Sequence, residues 1–144
     1  MTLTDRIATL SITDVAIGDA LPPLVIEISA TMIVAGALAT RDFMPVHHDR
    51  AYAESQGSPD IFMNILSSNA HCCRYLTDWA GPEAMVARLA IKLGVPVFPG
   101  TTLTFSGTVT EVDPVRDTAV IDLRATTDLG DHLTGSATLR LPHP

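Results

Sequence analysis

The chain has 144 residues, enough for one domain with a real core and no covalent staples. Apolar residues make up 47% and charged residues 17%, and the formal net charge is −7. That balance excludes a disordered chain and binding of nucleic acid through the overall field, while the apolar excess favours a subunit contact or an apolar ligand tunnel.

The nine basic residues include a single lysine, Lys92. An anionic ligand therefore needs a local cluster or a partner subunit. The two cysteines, Cys72 and Cys73, are adjacent and badly placed to bond each other. No disulfide framework follows, and a reducing, cytoplasmic location is expected. No basic-then-apolar leader pattern opens the chain. No apolar run reaches membrane-spanning length, so no membrane is expected as a partner.

Residues 1–23 read as a mixed N-terminal arm, with Ile12, Val15, Ile17 and Leu21 as packing candidates and Pro22-Pro23 closing it. Residues 24–29 are β-branched and predict a strand. Residues 30–40 are small and apolar and predict a helix. Residues 42–48, with Pro45, predict a loop. Asp49 and Gly57 bracket a short helix as N-cap and stop. The longest helix is predicted from Ser58 or Pro59 to Gly81-Pro82. Its apolar stripe runs through Ile61, Phe62, Ile65, Leu66, Cys72, Cys73 and Leu76.

Beyond Pro82 the pattern turns to β. Residues 85–93 predict a strand and residues 94–100 a kinked link. Residues 101–112 alternate, with Leu103, Phe105, Gly107 and Val109 on one face. Residues 118–126 and 132–141 follow, the last with Leu133, Ala137, Leu139 and Leu141 inward. Asp113-Pro114 and Leu129-Gly130-Asp131 read as hairpin turns. An antiparallel sheet with one apolar face needs a cover, and only the long helix is large and apolar enough. The expected fold class is α+β, an antiparallel sheet wrapped around one helix, in a single domain over residues 1–144.

The chemistry-bearing stretch is Arg41-Asp42-Phe43-Met44-Pro45-Val46-His47-His48-Asp49-Arg50. A carboxylate and a neutral imidazole can share one water, take its proton and return a proton to a neighbouring carbon. On spacing alone, Asp42 capping the loop and His47 packing on it is the plainer reading. His48 reads as a structural or loop-capping residue. His71, Cys72 and Cys73 diverge by about 100° per residue around a helix, so no metal site is expected. Arg50, Arg88 and Lys92 are candidates for anionic phosphate groups; scattered surface cations are the plainer reading.

The stretch resembles the signature of the MaoC-like, R-specific enoyl-CoA hydratases: small-Gly-Asp-x-Asn-Pro-aliphatic-His, then five residues and a small one. Thr40, Asp42, Pro45, Val46, His47 and Ala53 fall in register. Arg41 stands where glycine is usual and Met44 where asparagine is usual. Asp60-Ile61-Phe62, Thr77-Asp78-Trp79-Ala80-Gly81-Pro82, Leu93-Gly94-Val95-Pro96 and Thr104-Phe105-Ser106-Gly107 extend the likeness. They are similar to the branch whose small subunit serves hydratases of steroid side-chain CoA esters.

The resemblance implies a hot-dog fold and hydration of a trans-2-enoyl-CoA, with no separate cofactor because CoA is part of the substrate. It implies Asp42 and His47 as the catalytic pair and the backbone N–H of Asn64 as the oxyanion donor; Arg50, Arg88 and Lys92 stay the candidates for the CoA phosphates on their charge alone. It also implies a second hot-dog subunit, as a homodimer or heteromer. Two alternatives stay open: a hot-dog thioesterase using Asp60 at the start of the central helix, and a non-catalytic subunit of a heteromeric hydratase.

Overall fold

The structure, a computed structural model, describes residues 8–144, so residues 1–7 of the expected arm lie outside the described residues. In chain order come β1 (Ala20–Glu27), α1 (Ala30–Ala39), α2 (Arg50–Ser55) and α3 (Ile65–Ala80). Then follow β2 (Met85–Leu93), β3 (Thr102–Asp113), β4 (Thr118–Thr127) and β5 (Gly130–Arg140). The strands form one five-stranded sheet in the order β1-β3-β4-β5-β2, antiparallel throughout.

The alternation in the β half sets which face is buried. Leu103, Phe105 and Val109 of β3 are almost fully buried, as are Ile121 and Leu123 of β4 and Leu133, Ala137 and Leu139 of β5. Helix α3 lies against this face through Cys72, Tyr75, Leu76 and Ala80. Tyr75 meets Phe105 with ring centroids 5.7 Å apart. Burying an aromatic or branched side chain of this size stabilises the fold by roughly 1.5–3 kcal/mol each. The Cys72 thiol is sealed in this layer, and burial pushes it up to about 12, so it packs as a small apolar group.

The structure corrects two boundaries and the placement of one side chain. The first strand begins at Ala20, and Pro22 and Pro23 lie inside it rather than ending an arm. Proline lacks the ladder donor, and β1 tolerates two because it is an edge strand whose register shifts between Leu21 and Leu24. Ile12, Val15 and Leu21 are buried, but Ile17 is exposed. The long helix starts at Ile65, not at Ser58 or Pro59. Residues 58–64 are irregular and bend at Pro59 and Asp60, with Ile61 and Met63 buried, and Asn64 caps the helix by accepting from the Ser67 N–H at 3.0 Å.

One buried polar contact fastens the head of α3 to the sheet. The β4–β5 register shifts beside His132, so the ring turns inward although its neighbour Leu133 is also buried. Its Nδ1 donates to the Val95 carbonyl at 2.7 Å, which leaves Nε2 to accept from the Ser68 hydroxyl at 2.9 Å. Burial holds the His132 ring below its ordinary value of 6.5, partly offset by the Val95 carbonyl. The unfolded chain then binds more protons than the folded one as pH falls below about 6.5, so stability falls with it. We expect Tm to decline from pH 7.5 to pH 5. Each pH unit of depression at His132 corresponds to about 1.4 kcal/mol. His132→Asn should flatten that slope in pH-resolved thermal melts; His71, depressed in the same direction, leaves a residue of it.

Candidate active site

The end of α1 aims the first functional side chain. The Arg41 N–H donates to Leu38 O at 3.1 Å and the Asp42 N–H to Ala37 O at 2.9 Å. This is the Schellman closure, whose residue beyond the cap takes the left-handed conformation. Arg41 occupies that place at φ 57. A side chain there costs roughly 1–2 kcal/mol, which is why glycine suits it. Replacing that glycine by Arg41 therefore keeps the turn and the aim of Asp42.

A second turn sets the imidazole. Pro45 opens a 3-10 turn, Pro45–His47, where its fixed φ is already suited to the first helical position. His47 is buried, and its Nδ1 lies 2.7 Å from the Phe62 carbonyl. A carbonyl only accepts, so Nδ1 carries the hydrogen and the neutral ring has its lone pair on Nε2. The ring edge meets Phe62 with centroids 5.0 Å apart.

Nε2 faces Asp42 Oδ2 across 3.4 Å. Oδ1 of the same carboxylate accepts from the Met44 N–H at 3.3 Å, and Oδ2 accepts from Asn64 Nδ2 at 3.0 Å. The Asn64 bond, more than any other influence, holds the Asp42 carboxyl below its usual 3.8; partial burial opposes it, and Met44 and His47 assist. Asp42 is thus an anion at neutral pH, and the His47 ring in its neutral form presents a second acceptor opposite it. Two acceptors cannot bond each other, but one water can donate a hydrogen to each. The Asp42 side chain is 26% exposed and that of His47 10%, so the pair opens to the surface on the carboxylate side.

The structure therefore brings Asp42, His47 and Asn64 together. The neighbouring Met63 N–H is spent on Val97 O at 3.0 Å. The N–H of Asn64, at the positive end of α3, takes no protein acceptor among the described residues. His48 Nε2 lies 3.3 Å from the Phe43 carbonyl, a loop-capping contact.

The basic residues stand elsewhere. Arg50 forms a two-pronged pair with Asp60 at 2.9 and 3.0 Å, so most of its guanidinium is committed. Arg88 and Lys92 are exposed on the edge strand β2 and have no acidic partner among the described residues. Asp60 lies ahead of α3 rather than on it and is neutralised by Arg50, which removes the basis for a thioesterase carboxylate on the helix. Among the described residues no three His, Cys, Asp or Glu side chains converge on a point. Nor, among the described residues, is any helix long and apolar enough to cross a membrane.

Sequence reasoning missed the side chain of Asn64, which touches Asp42, and the buried Ser68–His132 contact behind it. The first had a visible signal, since asparagine is a favoured N-cap; the second had none.

Residues 15–129 match the MaoC like domain family. The chain belongs to the MaoC-like family. It is 47% identical over 125 residues to the beta subunit of 3-oxo-4,17-pregnadiene-20-carboxyl-CoA hydratase from Mycobacterium tuberculosis, covering 87% of this chain and 95% of that one. The ChsH1-ChsH2 complex from the same organism contains a chain that superposes with a TM-score of 0.85 at 44% identity, covering 88% of this chain and 98% of that one. An (R)-hydratase from A. caviae involved in PHA biosynthesis superposes at 0.82 with 23% identity over 89% and 98% of the two chains, which speaks for the fold alone. In this MaoC-like domain, the sheet around α3 is the hot-dog fold.

Proposed function

We propose that this MaoC-like chain hydrates a trans-2-enoyl-CoA with a bulky, steroid-type acyl group, and that it does so in complex with a second hot-dog subunit. The observation that carries this reading is the pair of acceptors, anionic Asp42 and the lone pair of His47 Nε2, facing each other at 3.4 Å. A water donating to both turns its own lone pair toward C3 of the substrate. As the O–C3 bond forms, the C2=C3 electron pair moves toward the thioester and charge builds on its carbonyl oxygen. The Asn64 N–H at the head of α3 receives that charge. The proton taken from water by one member of the pair is returned to C2 to complete the 3-hydroxyacyl-CoA.

The acyl class rests on 47% identity to a subunit of a pregnadiene-carboxyl-CoA hydratase. The second subunit rests on the matched chain belonging to a two-component complex. Exposed apolar side chains on the segments that carry the pair and at the head of α3 support both: Leu38, Phe43, Met44, Ile65 and Leu66 are each at least 44% exposed. Such a surface needs an acyl group or another chain to cover it. Arg88 and Lys92 are the proposed contacts for CoA phosphate, with Arg50 contributing only what Asp60 leaves free.

The test is an assay of the chain alone and mixed with a hot-dog partner of the matched complex type, on crotonyl-CoA and on a steroid side-chain enoyl-CoA. Loss of enoyl absorbance without release of free thiol is expected, with at least a tenfold preference for the bulky substrate in the complex. Thiol release without hydration would overturn the reading in favour of a thioesterase.

A further inference from the structure

The Asn64 side chain uses all its hydrogen-bonding groups on three different partners. Its Oδ1 accepts from the Ser67 N–H at 3.0 Å, closing the N-terminus of α3. One amide hydrogen goes to Thr40 Oγ1 at 2.9 Å and the other to Asp42 Oδ2 at 3.0 Å. The orientation of the amide is fixed by chemistry, since a backbone N–H can only donate and a carboxylate can only accept. Thr40 is held in turn, because its hydroxyl donates to Gly36 O at 2.8 Å and so offers a lone pair to Asn64. Asn64 itself is 2% exposed, so water does not compete for these bonds.

We propose that Asn64 is a positioning residue that makes the ionised, correctly turned state of Asp42 depend on the formation of helix α3. The rotamer in which the amide serves Asp42 is the one that caps the helix, and in it the same amide also docks the end of α1 through Thr40. The three elements around the site therefore lock together through one side chain. This inference rests on the hydratase reading for its kinetic consequence, but its structural core, the hold on the Asp42 carboxylate, stands without it.

The discriminating variant is Asn64→Asp, examined in the full chain with its partner. Aspartate keeps an oxygen for the Ser67 N–H and remains a good cap, so folding is preserved. It loses both amide donors and sets a second carboxylate against Asp42 at about hydrogen-bond distance, where one of the two must hold a proton. The acid limb of the kcat/KM profile should move up by more than one pH unit. At neutral pH kcat should fall at least tenfold with KM changed less than threefold, while Tm stays within a few degrees. Asn64→Ser, which caps without donating an amide hydrogen to Asp42, should shift the limb in the same direction by less.

A 13C carboxylate titration, with the Asp42 signal assigned by its loss in Asp42→Asn, reads the same effect without turnover. The Asp42 midpoint should rise in Asn64→Asp even if the wild-type complex hydrates nothing, an outcome that would sink the hydratase reading alone. An unchanged Asp42 midpoint in a folded Asn64→Asp protein would overturn the proposal, whatever the activity.

Discussion

Replacing Asp42 by Asn in the assembled protein is expected to lower hydration turnover by about a thousandfold, within the range for loss of a general acid or base. That corresponds to about 4 kcal/mol of transition-state stabilisation. Asparagine keeps one oxygen, which can accept from the Met44 N–H or from Asn64 but not from both, so one of the two bonds is lost with the charge. His47→Asn is the matching variant, because its amide can still donate to the Phe62 carbonyl in place of Nδ1 while the lone pair at the Nε2 position is gone. It should cost a similar factor. The double variant should be little worse than either single one, because the two groups act on one water. Stopped assays with excess enzyme, with Tm measured on the same samples, provide the check. Near-normal turnover in either single variant would make this chain a non-catalytic subunit whose partner does the chemistry.

What made the site legible was a short loop, and what stayed hidden were the contacts behind it. Asp42, Pro45 and His47 could be placed because a proline turn and a helix end are both local, set by a few neighbouring residues. Arg41 looked like a break in the family pattern. Its left-handed conformation at φ 57 shows the same turn persisting with a less favourable residue. The start of α3 differs from the reading because a non-helical apolar segment, Ile61 to Met63, has the same apolar density as a helix turn, and Pro59 imitates a helix start. That error concealed the cap, and with it the side-chain role of Asn64. The strands were read well where alternation persists, as along β3. His132 escaped because a bulge, invisible to a two-residue period, turned it inward.

The way the sheet closes over α3 leads to the largest expected effect on stability. One row of residues crosses all five strands: Leu21 on β1, Gly107 on β3, Leu123 on β4, Gly135 on β5 and Ile91 on β2. Large side chains and glycines alternate along it. The row lies on the buried face, for Leu21 and Leu123 are both buried and a Cβ on Gly107 would sit 3.3 Å from the Tyr75 ring. At Gly135 the crowding is with backbone: a Cβ there would lie 2.1 Å from the Ala90 carbonyl oxygen and 2.8 Å from Ile91 Cα. No rotamer change relieves a clash between main chains, so Gly135→Ala must push β5 away from β2 and flatten the wrap. We expect a loss of about 3 kcal/mol, at the upper end of the usual cost of overpacking. For a chain of this size that lowers Tm by roughly 10 °C. Gly100→Ala is the matched control. Its φ of 84 strains a side chain, yet nothing lies within 4 Å of the added Cβ, so about 1–2 kcal/mol is expected. Thermal melts that rank the two the other way would mean that strand spacing at Gly135 is not what the curvature of the sheet depends on.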